Sequence, residues 1–233
     1  MVRDRNLTLY EEIMLLSIRD EKGTMEHGTN WNLGVGGAVV AELMLSGHVA
    51  AVDMKKKVYL EVANHRPPKD KLLAECLERV RTSRRRETIP TWVTRFSNTK
   101  HLKKRVAGGL CRKRILKEDE DKVLLLFKRK IYPEVDPVPE RELRERMRKA
   151  LFGLKREVDP RTSIMIALAH SCRILPQLFD KKKLKGQKKR LEAITRGELV
   201  GSAAKEAVEA VEAAMLMAAI IPTIVTTTVI SSN

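Results

Sequence analysis

The sequence predicts a mainly α fold: one helical domain with a central buried helix and two β-hairpins arranged as winged-helix-like repeats. Three observations lead there. Apolar residues make up 43% of the 233 residues and recur at helical spacing through most of them, which is enough for a substantial core. Aromatic residues are only 4%, so that core is aliphatic. Two short stretches replace helical spacing with strand-like character, and each is followed by a pair of prolines and then by another helix.

The elements follow in order. "NLTLYEEIMLLSI" opens a helix, with Thr8 and Glu11 spaced as a capping box in which each satisfies a free backbone donor. "GVGGAVVAELMLSG" is a second helix ending near Gly47. Its glycines, Gly34, Gly36 and Gly37, have no preceding strand and no following Gly-Lys-Ser/Thr. They read as a tight helix start with close backbone approach, not as a nucleotide loop. "HVAAVDMKKKVYLEV" gives two strands with a polar turn near Asp53 to Lys57 and alternation at Val58, Leu60 and Val62. Pro67 and Pro68 end it. "KDKLLAECLERVRTS" is a helix with Leu72, Leu73, Cys76, Leu77 and Val80 on one face. Trp92, in "TIPTWVTRF", reads as core.

The same order returns. "TKHLKKRVAGGLCRKR" is a helix, "ILKEDEDKVLLLFKRKIY" a hairpin, Pro137 and Pro139 punctuate, and "ERELRERMRKALFG" is a helix. Residues 30–82 and 98–153 thus form a weak internal repeat within one domain spanning 1–233, with a helical part over 159–220. The run Glu118–Asp121 is taken as the turn of the second hairpin, and Val123–Phe127 as its second strand, equivalent to Val58–Val62. Both faces of such a strand are apolar, so one face needs a cover. Acids at the tip favour self-association over entry into an anionic bilayer.

Asp159 and Pro160 are a capping residue and a first-turn proline. They open "TSIMIALAHSCRILPQLF", the central buried helix. "KKKLKGQKKR" is a basic loop or helix start, and "AAKEAVEAVEAAMLMAA" an amphipathic helix with Glu206, Glu209 and Glu212 outward. No charge follows from Ala213 to Asn233, but the stretch turns Thr-rich after Pro222. That falls short of the roughly 20 mainly apolar residues a spanning helix needs. It reads as the end of a core helix and an apolar tail.

The net charge is +16, a field that favours polyanions: nucleic acid, an anionic membrane or an acidic protein. It is concentrated. Arg81 to Lys130 holds 17 Lys and Arg against 5 Asp and Glu. Cys76, Cys111 and Cys172 are odd in number and widely spaced, which indicates neither a disulfide framework nor a metal site. The N-terminus carries no apolar signal core, and an intracellular protein is expected. The five histidines stand far apart without helical ligand spacing; His170, in the apolar helix, reads as a satisfied core residue. Neither a catalytic constellation nor a cofactor motif is present in the sequence.

Two helix-plus-hairpin units also fit a winged-helix nucleic-acid binder. Its reading helix, "HLKKRVAGGLCRKR", offers Lys and Arg but few base-reading amides, which suits phosphate contact. The same cations suit lipid headgroups. Lys100 and Lys103 stand i, i+3 on the expected helix, hence on one face. Trp31 stands just before the Gly-rich helix. A scaffold for charged protein tails is a third class.

Four stretches carry a resemblance to a known family: "LTLYEEIMLLSI", "VVAELMLSGHV" with "MKKKVYL", "LLAECLERV" and "MIALAHSCRILPQLF". In sequence and order they are similar to the Golgi phosphoprotein 3 family, over roughly residues 6 to 220, and the chain looks more like a prokaryotic-type member. The resemblance implies a helical domain around a hydrophobic helix, and a non-enzymatic, cytoplasmic peripheral membrane protein that binds phosphatidylinositol 4-phosphate. Eukaryotic members retain glycosyltransferases in the Golgi by gripping their cytosolic tails. The family's lipid pocket uses a Trp, an Arg in the following helix and two basic residues before the second hairpin. Lys100 and Lys103 fall on the basic pair, Trp31 falls near the Trp, and Gly36 stands where the Arg is expected. Arg105 and Arg114 add to the field. Without the bidentate Arg fork, general anionic-lipid binding is the expectation. The second hairpin, Ile115 to Tyr132, is used in the family for membrane insertion or self-association. Leu124, Leu125, Leu126 and Phe127 are its apolar residues here.

Overall fold

The computed structural model describes residues 6–19, 22–54, 57–123, 127–154, 157–201, 205, 207–215 and 217. Helix α1 (Leu9–Leu15) starts where expected: the Thr8 backbone N–H donates to Glu11 Oε2 at 2.9 Å. All seven of its residues are buried. Helix α2 (Trp31–Leu45) begins earlier than the glycines predict, with Trp31 as its first residue and the three glycines inside it. Each glycine faces a different neighbour. A Cβ on Gly34 would meet Ile13 at 3.0 Å and Cys172 at 3.1 Å, and one on Gly37 would meet Leu168 at 2.7 Å. A Cβ on Gly36 would stand 2.9 Å from the backbone nitrogen of Ser97 and closer still to the carbonyl of Val93. The side-chain-free surface lets α2 be enclosed on all sides.

The first hairpin pairs β1 (Val49–Met54) with β2 (Lys57–Val62), antiparallel, with Val49 opposite Val62 and Met54 opposite Lys57. Asp53 and Lys57, expected in the turn, lie in the paired strands. Helix α3 (Lys71–Arg81) is capped by Asp70, which accepts from Leu72 N and Leu73 N, both at 2.9 Å. Its buried residues are the five read from the sequence. Helix α4 (Ile89–Ser97), with Thr88 as its N-cap and Pro90 in its first turn, was not anticipated. Its Trp92 is core, 5.3 Å from the Phe96 ring.

After α5 (Leu102–Arg112) comes the second hairpin, β3 (Asp119–Val123) and β4 (Phe127–Ile131). Each of its strands begins 70 residues after its counterpart in the first hairpin. Helix α6 (Val138–Phe152) completes the second helix–hairpin–helix series. Then α7 (Pro160–Ser171) opens on the Asp159 cap, which accepts from Thr162 N at 2.9 Å. Thr162 to Ala169 are buried without interruption, as a central helix requires. His170 corrects the expectation of a core histidine, for it is exposed. The basic stretch after α8 (Leu175–Leu178) is two helices, α9 (Lys181–Gly186) and α10 (Lys188–Thr195), and residues 207–215 are helical. One continuous apolar core runs from Leu9 to Met215. Among the described residues no helix is long and apolar enough to cross a membrane. The apolar tail lies outside the described residues from 218 onward.

Four elements also meet at a partly buried charge junction centred on the buried Glu12. Arg161 of α7 donates to Glu42 of α2 at 3.1 Å and to the carbonyl of Leu7 at 2.6 Å, and its Nε reaches Glu12 of α1 at 3.4 Å. Arg146 of α6 adds 3.1 Å to Glu12. Burial pushes the Glu12 carboxyl up, against the pull of Arg161 and Arg146. Such a junction costs desolvation and fixes how the helices meet.

Candidate functional site

Helix α5 buries Leu102, Val106, Ala107 and Leu110, a single helical stripe. Its flanks face the second hairpin at Lys103 and helices α1 and α3 at Gly109 and Arg105. Its N-cap is His101, in the left-handed region at φ 56°. Lys100 therefore precedes the helix, and this corrects its expected i, i+3 helical relation to Lys103. Lys100 is exposed on the turn.

Lys103 is half-buried, and its Nζ stands 5.6 Å from the centroid of the Tyr132 ring, just past β4. Burial lowers its pKa, and the Arg129 guanidinium of β4 lowers it further. Lys103 makes no ion pair among the described residues. Arg105 lies two positions on, about 200° around the helix, and faces the other way. It forks onto Glu75 of α3 at 2.6 and 3.2 Å. With Tyr10, Asp70 and Arg112 it borders a cleft of about 600 Å³ between α1, α3 and α5. Arg114 follows α5 in the left-handed region at φ 60° and is exposed. No hydrogen bond, ion pair or ring contact joins any two of Trp31, Lys100, Lys103, Arg105 and Arg114. The residue before Trp31 bonds instead to the end of α7, Asn30 N to Cys172 O at 3.0 Å.

Gly36 is a packing residue. Its missing Cβ points at the backbone of α4, so no side chain at this position can reach an outside phosphate without parting two helices.

The second hairpin differs most from expectation. Asp119, Glu120 and Asp121 of the acidic run lie in strand β3, not in the turn, and Lys128 to Ile131 belong to β4. Val123 pairs with Phe127, Asp121 with Arg129, and Glu120 with Lys130. Val123–Phe127 is thus not a strand equivalent to Val58–Val62; it spans the end of β3, the connection and the start of β4. Leu124, Leu125 and Leu126 lie outside the described residues, between the paired strands in sequence. Arg129 donates to Asp121 Oδ2 at 2.7 Å, and Lys130 pairs with Glu118. Opposite charges face each other at two steps of the ladder, which stabilises the pairing and offsets the acids the sequence placed at the tip, while Lys122 stands opposite Lys128. The base is anchored: Tyr132 N donates to Gly23 O at 2.8 Å, and Ile115, Leu116 and Tyr132 are buried.

Sequence reasoning missed Arg129 and Tyr132 as neighbours of Lys103. It also missed Arg161, Glu12 and Glu42 as a junction. The burial of Cys76 and Cys172 pushes both thiols up to about 12, so neither offers a thiolate. Among the described residues no group of His, Cys, Asp or Glu side chains is arranged to hold a metal ion.

The family model for Golgi phosphoprotein 3 (GPP34) matches residues 9–211. The chain belongs to the Golgi phosphoprotein 3 family. That match begins at the first residue of α1 and ends within the last helical stretch, so both hairpins, α5 and the central helices α2 and α7 lie inside it.

Proposed function

We propose that this family member is a non-enzymatic peripheral membrane protein of the cytoplasm that binds anionic phospholipid headgroups, with Lys100 and Lys103 as phosphate ligands and Arg105 and Arg114 adding positive potential. One observation carries the reading. Lys103 is a half-buried cation whose charge is disfavoured by burial and by Arg129, and it has no carboxylate partner among the described residues. An arriving phosphate supplies the missing counter-charge. Lys100 stands beside the start of the same helix, exposed and without an ion pair among the described residues.

Selectivity for phosphatidylinositol 4-phosphate is the finer claim that the family suggests. Gly36 leaves the site without an Arg fork, so the preference is for anionic lipid in general. Trp31, at the start of α2, is assigned a flanking role on the family pattern. The apolar sequence Leu124–Phe127 follows strands whose bases offset the acids. We therefore favour its contact with the bilayer over the self-association that acids at the tip had favoured; a homo-oligomer through this hairpin is the competing occupant. Gripping the cytosolic tails of membrane proteins is a family role that extends the same reading.

Co-sedimentation with liposomes tests it. Binding rises with the anionic fraction, falls with added salt and is unchanged when phosphatidylinositol 4-phosphate replaces another lipid at equal charge. Each basic residue near the surface contributes about 1 kcal/mol. A salt-sensitive gel shift with duplex DNA that exceeds liposome binding would instead favour the nucleic-acid reading.

A further inference from the structure

The turn after α7 and helices α8 to α10 border a cavity of about 530 Å³, within the range of small-molecule sites. Its apolar wall is Leu175, Pro176, Leu184 and Leu191. Leu175 and Leu191 are part of the core, and Leu184 packs against it. Four cations stand around that wall: Arg173, Lys181, Lys185 and Lys188. The three lysines are spaced i, i+4 and i+7, so they stay on one side although Gln187 interrupts the helix between α9 and α10. Arg173 is turned outward by a left-handed backbone, φ 60°, directly after α7. The single carboxylate in the lining is Glu192, 3.9 Å from Lys188. Arg173, Lys181 and Lys185 make no ion pair among the described residues.

An apolar wall with a cationic rim matches a ligand that is apolar along its length and anionic at one end. We propose that this cavity binds a long-chain carboxylate, a fatty acid, with the alkyl chain along Pro176 and Leu184, over the buried Leu175 and Leu191, and the carboxylate at Lys181, Lys185 and Arg173. The site is separate from Lys100 and Lys103 and does not depend on a bilayer. A neutral chain lacks the head that the rim recognises, and a short anion lacks the chain that the wall covers. The wall holds the chain, and the rim strengthens that hold for an anionic head.

Equilibrium dialysis of the full chain against laurate, dodecanol and acetate, all below micelle-forming concentrations, tests this. Laurate binds one per chain, dodecanol binds about tenfold more weakly, and acetate is not retained. Arg173→Gln/Lys181→Gln/Lys185→Gln removes the laurate advantage and keeps dodecanol uptake, which also reports that the cavity is intact. Lys100→Ala/Lys103→Ala leaves laurate uptake unchanged. Equal uptake of laurate and dodecanol by the wild-type chain overturns the proposal, as does a triple variant that still prefers laurate. If the triple variant loses both ligands, the wild-type comparison alone decides. Leu184→Ser, which keeps every cation, lowers the uptake of laurate and dodecanol together.

Discussion

In the first hairpin Val49 and Leu60 are buried, and Tyr59 bridges to Thr88 at the start of α4. In the second, Asp119, Glu120, Arg129 and Lys130 are exposed, and strand pairs with strand through opposite charges. The two hairpins share strand direction and place in the order of elements, yet one closes the core and the other is held at its base. The helices that lead into them differ in the same sense. Helix α2 is enclosed, with glycines where three neighbours press in, whereas α5 buries one stripe, exposes Lys104 and leaves Lys103 and Arg105 half-buried on its flanks. Of the two helix–hairpin series, the first is spent on packing and the second keeps its strands exposed at Asp119, Glu120, Arg129 and Lys130.

The largest effect that separates the copies is expected at Gly36→Arg. Restoring the family's basic residue there drives a charged side chain into the α4 backbone. Stability falls by about 3 kcal/mol or more in chemical denaturation, with no gain in lipid binding. A stable Gly36→Arg chain with tighter liposome binding would remove the contrast between the two helices. Leu60→Ala, in the docked hairpin, lowers stability by about 2–5 kcal/mol through the cavity it leaves. Gly23→Ala comes next, at about 1–3 kcal/mol, because Gly23 has φ +58° and lies against Pro133 at the foot of the second hairpin. Hydrogen exchange after this change should speed up at Lys117 and Tyr132 before it does in β1. Smallest is Arg129→Ala: its ion pair with Asp121 is exposed, so the midpoint of denaturation moves by less than about 1 kcal/mol. A loss at Arg129 as large as at Leu60 would mean that the second hairpin is also part of the core.

Most of the helices were legible because each carries its own signal: Asp70 and Asp159 as caps, the stripe from Leu72 to Val80, the unbroken apolar run after Thr162. Helix α4 was not, since Thr88, Pro90 and Thr91 look like a turn until Trp92, Val93 and Phe96 are seen to pack inward. The second hairpin was misread because four consecutive acids resemble a solvated turn and five apolar residues resemble a strand. The usable signal was the mirrored charge, Glu120 and Asp121 against Lys130 and Arg129, symmetric in sequence about position 125. Complementary charges can sit opposite each other only if the fold-back lies between them. Site residues were harder. Lys100 and Lys103 look like helical neighbours in sequence, and only the left-handed His101 shows that the helix starts after Lys100. The neighbours of Lys103, Tyr132 under its ammonium and Arg129 repelling it, come from nearly 30 positions away, beyond any local pattern.

The most direct test is a matched pair of charge removals scored by flotation on anionic liposomes. One variant is Lys100→Ala/Lys103→Ala, beside the second hairpin. The other is Lys57→Ala/Arg66→Ala, on and after the first, with the same change in net charge. The account predicts that the first variant loses most of its membrane-bound fraction and that the second binds nearly as the unaltered chain does. Equal binding by the two variants would contradict it, because attraction would then come from net charge alone and not from a site at α5.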